Sequence, residues 1–133
     1  MRAFVLVPIT LAIAIAVGFA VCRMMGFDPH TKEMIAAGLA CLVAGELAGV
    51  PLVLARGENQ AGIAQAALVG TVVHMFVSIA VAAVVVFAHL GLAGTFLYWL
   101  MAMYFATLIA LVIAFTNAVR TAPIARPVTR PAN

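Results

Sequence analysis

The chain has 133 residues, of which 67% are hydrophobic and only 8% charged, against about 25% charged in a soluble globular domain. So few polar side chains cannot cover a soluble surface, which excludes that class. The formal charge of +3 does not mark a nucleic-acid binder, because the Arg residues sit at the edges of apolar runs and no basic patch is interleaved with aromatics.

Four apolar stretches are predicted as helices at about Ala3–Val21, Met34–Leu54, Ala61–Ala88 and Leu92–Val119. Each is near or above the roughly 20 helical residues that cross a hydrocarbon core, and no period-two pattern of a β-barrel competes. The expected fold is an all-α integral membrane protein. Residues 1–120 form one transmembrane domain, a compact bundle of antiparallel hairpins, and residues 121–133 a Pro/Arg-rich tail. Arg2, Arg56, Arg120, Arg126 and Arg130 fall on one side and Arg23 and Lys32 on the other. The bias of basic residues toward the cytoplasm therefore places both termini there.

The first apolar run follows Arg2 and contains Gly18-Phe19-Ala20, which has the small-x-small look of a cleavage site. It is longer than the roughly 7–15 residues of a signal core, so it is expected to be a true span. Pro8 lies near its start, where a missing donor costs little or bends the first turns. Cys22 and Cys41 are too few for a disulfide framework and read as small buried residues. Between the first two helices, Gly26 and Asp28-Pro29 signal a turn, and Thr31 is the predicted N-cap of the next helix. Asp28 and His30 lack the further ligands a metal site needs.

The second helix carries two series of small residues, Ala37, Cys41, Gly45, Gly49 and Ala36, Ala40, Ala44, Ala48. Such a smooth face lets other helices approach closely. Glu46, beside Gly45, is the only carboxylate inside any span. An acid there costs about 3 kcal/mol unless it is paired or hydrated. Pro51 weakens the end of this helix.

In the third helix Gly62, Ala66, Gly70, His74, Ser78 and Ala82 recur every four residues. That stripe should face protein, with His74 at its middle. A hairpin centred near Gly57–Glu58 sets Glu46 opposite Val69–Gly70 and His74 about 7 Å deeper. Because helical side chains lean toward their own N-terminus, Glu46 and His74 would lean toward each other. Thr71 and Ser78 flank His74 and would extend a polar network. Glu46, Gly70, Thr71, His74 and Ser78 are thus the candidate intramembrane contacts, and Gly45, Gly49, Gly62, Ala66, Ala106 and Ala110 the candidate packing residues. A structural network, a contact with a partner protein, and proton transfer or ion binding all remain open for the polar group.

Gly91 and Gly94 mark the third turn, with His89 an interfacial residue at its edge. Phe96, Tyr98 and Trp99 then read as an aromatic belt at the outer interface. Ala102, Ala106, Ala110, Ala114 and Ala118 form a further series at spacing four, while Met101, Met103, Phe105 and Leu108 are expected to face lipid or fill gaps. Pro123, Pro127 and Pro131 with Arg126 and Arg130 make an extended tail whose basic residues suit anionic headgroups.

No constellation of catalytic residues is present: no phosphate-cradling loop, no HExxH and no nucleophile–base pair. The expectation is a protein that is not an enzyme and needs no cofactor. A small ion or drug transporter built on Glu46 is an alternative, although small multidrug transporters place their key Glu in the first helix, which here has no acid.

Gly70-Thr71-Val72-Val73-His74, Tyr98-Trp99-Leu100 and Met103-Tyr104-Phe105-Ala106-Thr107-Leu108 resemble the ATP synthase subunit I family, four-helix accessory proteins of the F-type enzyme. The resemblance covers Ala61–Arg120. It departs from the family at His74, where Lys or Arg is frequent, and at Ala110, where some members carry an acid. It implies a non-catalytic protein of the bacterial cytoplasmic (inner) membrane that assists assembly of the c-ring, with c subunits, and secondarily the a subunit, as partners alongside membrane lipids. It also implies a role in Mg²⁺ supply. A structural subunit of another energy-converting membrane complex is the alternative, and the same smooth faces suit an oligomer.

Overall fold

The computed structural model describes residues 2–88 and 93–123, and for residues 2–4 the backbone only. Four helices account for nearly all of it: α1 (Arg2–Met24), α2 (Thr31–Leu54), α3 (Gln60–Phe87) and α4 (Ala93–Thr121). There is no strand among the described residues. All four helices are long and apolar enough to cross a membrane. The predicted spans are recovered, with α1 and α2 each extending three residues further into the first loop. His89 and Gly91 and the tail with Arg126, Arg130, Pro127 and Pro131 lie outside the described residues.

Local chemistry explains where the helices stop. Gly26 takes a left-handed conformation with φ 75°, which glycine enters without the clash a Cβ would bring. Around it the Phe27 N–H donates to the Cys22 carbonyl at 2.9 Å and the Gly26 N–H to that of Arg23 at 3.3 Å. These two bonds satisfy carbonyls that the end of α1 would leave open.

The prediction that Thr31 caps α2 is wrong. Thr31 is already helical, and the cap position belongs to His30, which is left-handed at φ 44° and makes no side-chain capping bond. Instead the His30 N–H donates to Asp28 Oδ1 at 3.0 Å, a turn bonded through its own Asp. The cap of α3 is Asn59, whose side chain accepts from the Gly62 N–H at 3.0 Å. Gly62 is therefore a capping partner more than a packing surface. A Cβ there would meet Cβ of Glu58, in its own loop, at 2.9 Å. Gly94 is helical, in the first turn of α4, and does not mark the turn. Pro51 lies inside α2, which ends at Leu54 as predicted.

Helices α2 and α4 pack against each other and each against α1 and α3, whereas α1 and α3 do not meet. The paired positions show the sense of each contact. Gly38 lies against Ile15 and Gly45 against Val7, so α1 and α2 run oppositely. Cys41 meets the Leu100 carbonyl and Gly45 meets Thr107, so α2 and α4 run the same way.

The small-residue series bury unevenly, for a geometric reason. Residues four apart turn 40° per step, so a series of six sweeps about 200° and cannot keep one heading. In α3 the middle four, Ala66, Gly70, His74 and Ser78, are buried, while Gly62 and Ala82 at the ends are half-buried. In α2 Ala37, Cys41, Gly45 and Gly49 are all buried, and the neighbouring series turns inward only at Ala44 and Ala48. In α4 the same drift leaves Ala102 exposed and Ala106 half-buried, contrary to expectation, while Ala110 and Ala114 are buried. The core face of α4 is a stripe with steps of three and four: Phe96, Trp99, Met103, Thr107, Ala110 and Ala114.

The aromatic belt therefore divides. Tyr98 is 73% exposed, but Phe96 and Trp99 are core residues. Trp99 packs on Gly18, and its Nε1–H donates to the Pro29 carbonyl at 3.1 Å. This pins the first loop to the top of α4. Met103 is likewise fully buried, whereas Met101 and Phe105 are exposed. Outward faces are apolar throughout, with Ile13, Leu39, Leu68, Ile79 and Ile109 all more than half exposed.

Candidate functional site

The stripe on α3 is where the two kinds of candidate residue meet. At its first half the contact is made by backbone. A Cβ placed on Gly70 would collide with the carbonyl oxygen of Ala48 on α2 and would stand 3.0 Å from the Phe115 ring of α4. Only glycine lets α3 come this close to α2. Thr71, beside it, donates its hydroxyl to the Ala67 carbonyl of its own helix at 3.0 Å, so it does not join a network with His74.

One turn further on, His74 is fully buried. Its imidazole stacks on the ring of Tyr104 from α4, with centroids 4.9 Å apart and planes inclined by 15°. Neither ring nitrogen has a hydrogen-bond partner, and the Oγ of Ser78, on the following turn, has none either. Buried polar atoms in proteins are overwhelmingly paired. An unpaired one costs about 1–3 kcal/mol. Three such atoms on successive turns of one helix are the clearest chemical anomaly among the described residues.

Glu46 does not belong to this group. The Ala48–Gly70 contact sets Glu46 level with about residue 72, about two residues nearer His74 in depth than the predicted level of Val69–Gly70. It is the rotation about α2 that separates them. Glu46 lies two residues, or about 200°, away from Ala48, so it points away from α3. No hydrogen bond or ion pair joins Glu46 to any of the described residues, and it is half-buried. Its neighbour Gly45 is the packing residue: a Cβ there would stand 2.8 Å from Val7 and 3.0 Å from Thr107. The Thr107 hydroxyl in turn donates to the Met103 carbonyl at 2.7 Å.

Tyr104 is the residue that residue-type reasoning passes over. Register would have found it, because a hairpin between α3 and α4 centred near residue 89 brings 74 and 104 level. No group of three or more His, Cys, Asp or Glu side chains that could hold a metal ion occurs among the described residues. Of Asp28 and His30, the Asp28 carboxylate accepts from the His30 backbone N–H in the turn itself. No family model matches the chain, and comparison with curated proteins and with solved structures found no match.

Proposed function

We propose that the chain is a non-catalytic, multi-pass membrane protein whose role is to hold other apolar helices. In this reading it forms a compact transmembrane bundle of antiparallel hairpins with both termini in the cytoplasm, since Arg56 and Arg120 lie at one end and Arg23 and Lys32 at the other. The observation that carries it is the unpaired trio of His74 Nδ1, His74 Nε2 and Ser78 Oγ. These are hydrogen-bonding groups kept inside an apolar span after every helix contact has been made. They are shut inside the bundle, so a partner reaches them only where α3 and α4 part, and polar groups kept inside a span are functional candidates by default.

The nature of the partner rests on the likeness of α3 and α4 to subunit I. It makes the helices to be held those of the c subunits of an F-type ATP synthase in a bacterial inner membrane, with the protein assisting ring assembly. The test is gentle extraction of a tagged copy followed by mass spectrometry of what co-purifies. Recovery of c or a subunits, lost on His74→Leu, is the expected result. Recovery of another stable complex in their place overturns the ATP synthase assignment and makes the protein a structural subunit of that assembly. Isolation of the chain alone overturns the holding role.

A further inference from the structure

We propose that the groove between the first half of α3 and the last half of α4 is a binding site for one anionic phospholipid, resting on the membrane reading above. The open groove offers about 550 Å³ and is walled by Ala64, Ala67 and Leu68 on one side and Val112 and Phe115 on the other, with Arg120 on its edge. Small residues on α3 leave the space. From Val112 to Arg120 is eight residues, or about 12 Å along the axis, comparable to the roughly 15 Å depth of one leaflet of a 30 Å hydrocarbon core.

The chemistry at this edge selects the headgroup. Arg120 is exposed in the last turn of α4 and has no carboxylate partner among the described residues. The exposed Thr116 hydroxyl stands one turn below it, on the groove wall. A guanidinium offers paired donors that match a phosphate. The opposite end of the α3–α4 seam makes the contrast. Its cleft of about 450 Å³ is walled by Leu97, Leu100, Met101 and other apolar side chains with Ser78 and Tyr104, and has no basic residue. Among the described residues the same two helices thus offer a chain-sized groove at both ends but a basic residue lining only one. An acyl chain in the groove with its phosphodiester on Arg120 satisfies both features.

The test starts by washing membranes with carbonate, then titrates the detergent-purified chain with phosphatidylglycerol or phosphatidylcholine under native mass spectrometry. The expected result is preferential retention of phosphatidylglycerol. Arg120→Gln should weaken it about five-fold, equivalent to the roughly 1 kcal/mol an Arg contributes near an anionic surface. Arg120→Lys should retain most of the affinity, Arg23→Gln at the other end should leave it unchanged, and inorganic phosphate should not displace the lipid. Equal retention of both lipids would mean an unselective lipid coat and overturn the site. So would equal losses in Arg120→Gln and Arg23→Gln, or displacement by phosphate. Release of the chain by carbonate would overturn the multi-pass reading and the site together, whereas a carbonate-resistant chain without lipid preference overturns the site alone.

Discussion

Gly70 and His74 are one turn apart on the same buried face of α3, yet they meet their neighbours in opposite ways. Gly70 lies so close to the Ala48 carbonyl that no side chain fits between them. His74 is just as buried but leaves both nitrogens unpaired, touching Tyr104 through ring stacking alone. Adhesion between helices is complete at the first position, and hydrogen-bonding capacity is left over at the second. Close packing of small and large apolar side chains makes the bundle's core, and the imidazole nitrogens add no hydrogen bond to it.

The largest effect should come from breaking the first half of this contrast. Gly70→Leu drives a side chain into backbone, which cannot move aside as a flexible side chain can, and should cost at least about 3 kcal/mol, the upper end of overpacking penalties. Thermal unfolding in detergent would show it, with Val69→Leu, on the exposed face, within about 0.5 kcal/mol of the parent. A stable Gly70→Leu variant would mean that α3 and α2 are not in backbone contact.

Trp99 sharpens the second half, because it is a buried ring whose N–H does have a partner, the Pro29 carbonyl. Trp99→Phe should lose that bond and some packing on Gly18, at about 1–2 kcal/mol. Amide exchange at residues 27–31 should rise with it. His74→Leu should do the reverse. Removing unpaired buried nitrogens recovers their desolvation penalty, offset by the lost stacking of about 0.5–1.5 kcal/mol, for a net gain on the order of 1 kcal/mol. Should His74→Leu melt lower than the parent by that amount, the imidazole has a structural partner in the isolated chain, and its reservation for another protein is untenable.

The helices and the buried stripe of α3 were legible in the sequence because both depend on composition and on a single angular period. Drift of that period was equally calculable, and it accounts for Gly62, Ala102 and Ala106 falling off the packed faces. Trp99 and Phe96 were misread because an interfacial aromatic and a core aromatic look alike in one dimension. The difference is made by Gly18 and Pro29, 81 and 70 positions from Trp99 in the chain. Likewise the cap of α2 was hidden, since a left-handed His30 stabilised by Asp28 has no composition signal as strong as a Thr before an apolar run. Register was within reach for Tyr104, but rotation about the axis was not for Glu46.

Glu46 supplies the smallest expected effect and the finest test of the contrast. Like His74 it is an ionisable residue in an apolar span, but it is half-buried and turned away from α3. With no partner among the described residues to lose, Glu46→Gln should change the thermal midpoint by an amount equivalent to less than about 0.5 kcal/mol, the range of substitutions away from specific contacts. Recovery of partner subunits should be unaffected as well, because the α3–α4 seam that encloses His74 and Ser78 is untouched. Liposome flux assays on the parent and the variant complete the comparison. Flux in the parent that disappears in Glu46→Gln would show that the carboxylate carries ions or protons across the bilayer, an activity a purely holding role does not have. In that event the functional centre would move from the α3 stripe to the far side of α2, and the transporter alternative would replace the accessory reading.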